Sequence, residues 1–357
     1  MKNLRHILIV TALVIIATVG LRFVFRYIFS LPRAASAEAQ PIDTMFNIHF
    51  WMIAFLFSLI MVFMLYSAFV FRKQPEDETD GPHIHSNTPL EIGWTIVPVF
   101  VVIGFGIYGA VVLNEITRPD PNEMVVEVTG KQWVWSFGYP NEEKNVTSAE
   151  LVLPVDQPVV LKMNSVDVLH SFWVPEFRVK QDLVPGRETT LRITPTQLGD
   201  YKVRCAEICG TNHSVMLADV RVLSAEDYQA WMEEKLAAPA FGEMTPEERG
   251  DFWHSAEGFG CVACHSTDGS AGVGPTWQGL YLHEVELSDG STVTVDDEYI
   301  HNSIMDPNSQ IVAGFTENLM PQDYSDQFAA KEAEILASEG VEIDIVADLI
   351  AFIKTLE

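Results

Sequence analysis

The sequence predicts a membrane protein of several domains. A transmembrane helical hairpin with an extra N-terminal helix comes first, then an all-β domain, then a small all-α domain. Three observations carry this. Nearly all the long apolar runs lie before residue 115. Between Met124 and Val222, short β-branched runs are separated by Pro, Gly and Asp turns. Past Pro246, apolar residues return at helical spacing, most clearly from Glu342 to Leu356.

The hairpin has two clear spans. Phe46 to Phe71 contains only His49 as a titratable side chain and is long enough to cross a bilayer with some tilt. Arg72 and Lys73 follow directly and mark a cytoplasmic end. After a polar loop, Gln74 to Glu91, the second span runs from Ile92 to Leu113. Thr88-Pro-Leu-Glu91 fits a capping box, with Thr88 as N-cap, Pro89 at N1 and Glu91 at N3. The first segment, Ile7 to Phe29, is less uniform: its clean apolar run stops at Val19, and Arg22 and Arg26 interrupt the rest. Two readings are open for it. One is a signal peptide cut near Ala35-Ser36-Ala37. The other, preferred, is a retained third helix, with Arg22, Arg26 and Arg33 outside against the charge rule but able to snorkel. The expected divisions are 1–40 for this helix or signal-anchor and 41–117 for the hairpin.

The β domain is expected over 118–223. Its strands are Met124–Thr129, Glu150–Leu153, Pro158–Lys162, Thr189–Thr194, Gly199–Arg204 and Leu217–Val222, ending near Leu223. Ser224 then caps a helix to about Leu236, and Ala237–Pro246 has linker composition, making 224–246 a helix and linker. The last domain, 247–357, opens with a helical stretch, Glu247–Ala256.

The formal net charge is −27, which argues against nucleic acid as a partner and suits steering of a basic one. There are four cysteines. Two lie in Cys205-Ala-Glu-Ile-Cys209-Gly-Thr-Asn-His213-Ser-Val-Met216. Thiolates mixed with imidazole and thioether suit copper. A mononuclear blue copper has a single cysteine, so two thiolates four apart point to a pair of metal ions. His170, from an earlier loop, is the candidate second imidazole. A structural zinc or a disulfide is the plainer alternative. The other two cysteines form Cys261-Val-Ala-Cys264-His265, the attachment signature of c-type haem. His265 would be the proximal ligand, and Met320, followed by Pro321, the distal one, with Met305 as its rival. A His–Met pair raises the potential relative to two histidines. Covalent haem implies assembly outside the cytoplasm, which places the chain beyond about 115 on the external face. His83 and His85 read as solvated loop residues, and His254 and His283 as surface residues.

Taken together, His170 and Cys-x-Glu-x-Cys-x-x-x-His-x-x-Met resemble the CuA motif of cytochrome c oxidase subunit II. The resemblance extends from about 45 to 223 through Asn87-Thr-Pro-Leu-Glu-Ile-Gly-Trp-Thr-Ile-Val-Pro98, Gln132-Trp-Val-Trp135, Asp167-Val-Leu-His170 and Leu183-Val-Pro-Gly186. It implies a cupredoxin-like Greek-key domain holding a dinuclear copper on His170, Cys205, Glu207, Cys209, His213 and Met216. Glu207 would give its backbone carbonyl to copper and its carboxylate to a magnesium shared with subunit I. Trp133 would be an exposed indole against which a donor haem docks. Glu91 would stand at the entrance of a proton pathway. The C-terminal part resembles a class I cytochrome c, in which Cys261, Cys264, His265 and Met320 hold haem c and Gly274-Pro275 orients the proximal ring. It departs at Leu280-Tyr-Leu-His283, where that family usually has glycine after Leu-Tyr.

The whole resembles subunit II of a caa-type oxidase in the bacterial cytoplasmic membrane. That resemblance implies passage of electrons from an external donor through haem c and CuA to the haem of subunit I, with oxygen reduced and protons pumped there. The donor could be a cytochrome, an iron–sulfur protein or a quinol-oxidising complex. A copper subunit of a nitric oxide reductase and a membrane-tethered electron carrier are the alternatives. A quinol oxidase subunit would lack the copper ligands.

Overall fold

The computed structural model describes residues 2–73, 83, 85–142 and 144–356. These form two compact units: Met1–Pro119 with Glu176–Arg178, and Asp120–Pro175 with Val179–Glu357. Most of the loop expected from Gln74, including Ile84 between His83 and His85, lies outside the described residues.

The first unit holds three helices, each long and apolar enough to cross a membrane: α1 (Lys2–Ile28), α2 (Ala39–Val70) and α3 (Thr88–Ile116). α2 starts seven residues before the apolar span, in a stretch whose polar residues belong outside the hydrocarbon. α1 and α2 pack together. Ala54 and Ser58, both buried, are small enough to let helix backbones approach. Most other Leu, Ile and Phe side chains on the three helices stay exposed, as lipid-facing surface requires. Arg22 is accommodated by Asn47, to which it donates, and by the Trp51 ring, 5.7 Å away. The Ala35–Ser36 segment is tied down as well: Ala35 N–H donates to Glu176 O at 2.9 Å and Ser36 Oγ to Phe177 O at 3.0 Å.

The cap of α3 sits one residue earlier than expected. Asn87, not Thr88, is the N-cap, and its side chain accepts from Leu90 N–H. The Glu91 carboxylate reaches back to accept from Asn87 N–H at 3.0 Å. Asparagine is as good a cap as threonine, and moving the start places Pro89 at N2, where its missing N–H still costs nothing.

In the second unit, ten strands form two five-stranded sheets. They are β1 (Met124–Lys131), β2 (Val134–Tyr139), β3 (Val146–Ser148), β4 (Leu151–Pro154), β5 (Val159–Ser165), β6 (His170–Trp173), β7 (Lys180–Leu183), β8 (Thr189–Ile193), β9 (Gly199–Cys205) and β10 (Leu217–Leu223). One sheet runs β3-β2-β1-β5-β8 and the other β4-β10-β9-β6-β7. Two pairings, β1 with β5 and β10 with β4, are parallel; the rest are antiparallel. Period-two alternation places Val126 and Val128 of β1, Trp135 and Phe137 of β2, and Tyr201 and Val203 of β9 in the interior. The all-β domain is as expected, and it is built as two sheets. It has four strands, β2, β3, β6 and β7, that periodicity alone does not mark.

Ser224 caps α4 (Ala225–Leu236) by accepting from Asp227 N–H, and Trp231 of this helix packs edge-on against Tyr139. Four further helices follow: α5 (Pro246–His254), α6 (Asp297–Met305), α7 (Tyr324–Glu339) and α8 (Ile345–Ile353). A short hairpin, β11 (Glu284–Glu286) and β12 (Thr292–Thr294), stands among them. α5 crosses α8 at Gly250, where a Cβ would lie 2.2 Å from Asp348 O. That close approach lets Arg249 reach Asp348 with both prongs (2.7 and 2.8 Å) while Trp253 Nε1 donates to the same carboxylate at 3.1 Å. The 237–246 stretch is not a free tether. Phe241 stacks on Trp253, ring centres 4.7 Å apart, and joins that core.

Candidate metal centre and adjoining cavity

The β9–β10 connection and the start of β6 bring the soft ligands together. Cys205 Sγ and Cys209 Sγ lie 3.6 Å apart. His170 Nδ1 is 3.8 Å from Cys205 Sγ, and His213 Nδ1 is 3.6 Å from Cys209 Sγ. Met216 Sδ is 3.8 Å from Cys209 Sγ, and Glu207 O is 3.2 Å from Cys205 Sγ. Two thiols therefore stand at the centre, each with its own imidazole, and a thioether and a carbonyl close the ends. His170, Cys205 and Cys209 are all buried, and their donor atoms lie within 4.8 Å of one another. This donor set fits a copper pair, and it does not fit the four equivalent N/S ligands of a structural zinc. Cys205 and Cys209 are free thiols, not a disulfide.

Neighbouring groups orient these ligands. Asp167 Oδ1 is bonded to His170 Nε2 at 2.8 Å, which turns Nδ1 toward the sulfurs, and Asp167 Oδ2 accepts from Gln132 N–H at 2.7 Å. Burial works against a charged His170 ring, but the bonds to Asp167 and Cys205 outweigh it and lift its pKa to about 9. Burial likewise opposes the Cys205 thiolate, but the hydrogen bonds from His170 and from backbone N–H groups lower its pKa, while burial and the Cys205 charge push Cys209 up. Gly130 leaves room for the ring: a Cβ there would lie 3.1 Å from His170 Cδ2.

The C-terminal helices surround a cavity lined mostly by apolar side chains, with Cys261, Cys264, His265 and Met320 on its wall. Met305 is not among the lining residues. His265 Nδ1 is bonded to Pro275 O at 2.8 Å, so Nε2 is left for a ligand, and burial keeps the ring neutral. Gly274 is required beside it, because a Cβ would lie 2.6 Å from His265 Cε1. An apolar-lined cavity with two thiols and a fixed, neutral imidazole fits a covalently held haem. His254 is buried, not on the surface: its Nε2 is bonded to His265 O at 2.9 Å and its ring lies 4.7 Å from that of Trp277. A lone histidine in a short helix gives no local sign of that long-range contact.

The metal centre and the cavity share a wall. Trp133 lines the cavity, and its Nε1 donates to Cys209 O at 3.2 Å; Gln132 Nε2 donates to the same carbonyl at 2.6 Å. Asn212 Nδ2, next to His213, donates to Ala263 O inside the Cys261–His265 motif at 3.1 Å. The expected exposed indole is therefore a correction: Trp133 is 7% exposed, held against Cys209 O and facing the cavity. Of the sequence-derived site residues, only Glu91 stands outside this assembly, in the first turn of α3. Asp167, Gln132 and Asn212 carry no role in the sequence reading, although each lies inside a quoted motif: Asp167–His170, Gln132–Trp135 and Cys205–Met216.

A family model described as cytochrome c oxidase subunit II, transmembrane domain, matches residues 24–110, and one described as the periplasmic domain of that subunit matches residues 144–223. The cytochrome c oxidase subunit 2 of Synechocystis sp. is 33% identical over 61% of this chain and 82% of its own length. The chain belongs to the cytochrome c oxidase subunit II family. The subunit 2 of Alkalihalophilus pseudofirmus is 30% identical over 70% of this chain and 74% of its own. The crystal structure of the periplasmic domain of cytochrome oxidase subunit II from Bradyrhizobium japonicum matches 32% of this chain and 95% of that one, at 28% identity and a TM-score of 0.30. As a subunit II, the chain is part of a haem–copper oxidase, an oxidoreductase complex whose partners include subunit I. It is a membrane protein with a periplasmic, cupredoxin-like domain, and family membership implies CuA copper at the site described above.

Proposed function

We propose that the chain is the electron-accepting subunit of a caa-type oxidase, with 247–357 a fused class I cytochrome c domain. One observation carries the reading: Trp133 forms a wall of the C-terminal cavity while its indole N–H is bonded to the carbonyl of Cys209. The two groups, when bound, supply one-electron carriers of suitable potential. The protein's own part is placement. Cys261 and Cys264 would hold the haem covalently in the cavity that Trp133 also lines. His265 and Met320 would ligate its iron, with Pro275 O holding the His265 ring.

At the copper centre, His170, Cys205, Cys209, His213, Met216 and the Glu207 carbonyl would bind dinuclear CuA. Asp167 would set the His170 tautomer. The Glu207 carboxylate is then free to meet a magnesium shared with subunit I. Electrons would come from an external cytochrome, iron–sulfur protein or quinol-oxidising complex, and would leave toward the haem of subunit I, where oxygen is reduced and protons are pumped. Glu91, at the cytoplasmic end of its span, would serve the proton pathway there. The buried, mutually bonded ligands argue against a copper-delivery role, which needs a labile site.

Element analysis of the purified oxidase tests this. Two coppers and one covalent haem per chain are expected, together with a co-purifying haem–copper subunit. A single copper would overturn the dinuclear site. Absence of covalent haem would overturn the fused domain.

A further inference from the structure

Among the described residues, one side chain makes two of the polar contacts that join the copper-binding sandwich to the C-terminal part. Lys131 ends β1, two residues before Trp133. Its Nζ donates to Phe259 O at 3.1 Å and to Gln327 Oε1 at 3.4 Å, and lies 4.9 Å from the centre of the Tyr324 ring. Phe259 leads directly into the Cys261–His265 motif. Tyr324 lines the cavity and opens α7, on which Gln327 sits one turn later. A single ammonium from the sandwich thus grips both flanks of the cavity: the segment before the cysteines and the helix after Met320.

The surroundings explain why a cation is used. The chain carries 49 acidic and 22 basic side chains, so two of its domains brought face to face repel each other on average. A charge-assisted hydrogen bond is about twice as strong as a neutral one, and a cation over an aromatic face adds to it. Close packing alone leaves little slack nearby: a Cβ on Gly260 would lie 2.8 Å from Val134 Cγ2.

We infer that Lys131 is a positioning residue, whose charge clamps the C-terminal domain onto the Trp133–Cys209 face and so fixes the haem-to-copper distance. This rests on the reading of 247–357 as a haem domain. The test uses the complete oxidase carrying Lys131→Met or Lys131→Arg. Hydrogen–deuterium exchange is read at 209–213 and 257–264, and the haem-to-copper electron-transfer rate is read after flash reduction. Hydrogen bonds to charged groups contribute enough that Lys131→Met should slow transfer by about tenfold. It should also speed exchange in both segments, with copper and covalent haem retained, and Lys131→Arg should recover both.

If Lys131→Met does not assemble, Gln327→Lys and Gln327→Glu replace it. The added cation should loosen the two segments, and the added carboxylate should not. Wild-type exchange and rate in Lys131→Met would overturn the inference alone. So would a loss that arginine does not recover, or equal effects of the two Gln327 changes. A wild-type chain without covalent haem would overturn the underlying reading and this inference together.

Discussion

The copper-binding sandwich and the C-terminal helices hold their ligands in opposite ways. In the sandwich, the ligands already touch one another: two sulfurs 3.6 Å apart, each beside its own imidazole, with His170 and Cys205 on strands and Cys209, His213 and Met216 on the connection from β9 to β10. In the C-terminal part the ligands line an apolar cavity, and the ring of His265 is positioned by Pro275 O, Gly274 and the carbonyl contact to His254, not by the other ligands. A preorganised cluster needs only its metal. A cavity of this kind, on the proposed reading, would be completed by a large apolar cofactor. The difference teaches that the first site depends on individual ligands and the second on the helices that frame it.

The sharpest way to break this comparison is Cys209→Ser. It removes the thiol that contacts Cys205, His213 and Met216, and should abolish the mixed-valence copper signal in electron paramagnetic resonance while covalent haem is kept. A surviving mixed-valence signal would contradict the bridging role. The complementary change is Asp348→Ala, which removes the acceptor of Arg249 Nε and Nη2 and of Trp253 Nε1 in the C-terminal core, while Arg249 Nη1 keeps Phe241 O and Met244 O. Hydrogen bonds to charged groups contribute about 1.5–3 kcal/mol. Denaturation followed through the haem band should show that loss with the copper signal unchanged, and a loss of a few tenths would contradict it. Asp167→Asn acts on an orienting group, so it should weaken copper binding by about 10–100-fold in a chelator competition. Unchanged affinity would mean that the strands alone orient His170. The smallest effect is at Leu282, a 64% exposed residue with φ of 60°. A left-handed conformation costs a non-glycine residue roughly 1–2 kcal/mol, partly offset by the extra chain entropy of glycine. Leu282→Gly should therefore stabilise the C-terminal part by about 0.5 kcal/mol, read from its unfolding midpoint, and a lowered midpoint would show that the leucine side chain packs.

Much of this was legible in the sequence where the determining contacts are local. The Cys205–Met216 loop carries five of the copper donors within one connection, and their residue types name the metal. The Leu282 position was legible as a departure from glycine, and its φ gives the reason. Three of the four strands that periodicity does not mark are short: Val146–Ser148 has three residues, and His170–Trp173 and Lys180–Leu183 have four each; the fourth, Val134–Tyr139, has six. Asn87 was passed over as a cap because Thr88 offers the same chemistry one position on. The buried state of Trp133 and His254, the packing of Phe241 and the reach of Lys131 depend on partners far along the chain, and no local pattern encodes them.

The most direct test of the central claim, that the two sites form one connected path, is the rate of haem-to-copper electron transfer in the wild-type complex as protein concentration and salt are varied. A docked pair predicts a first-order rate unchanged by dilution and nearly unchanged by ionic strength, since a buried seam is little screened. A rate that rises with added soluble donor, or falls steeply with salt, would contradict it and would mean that Trp133 is reached from outside.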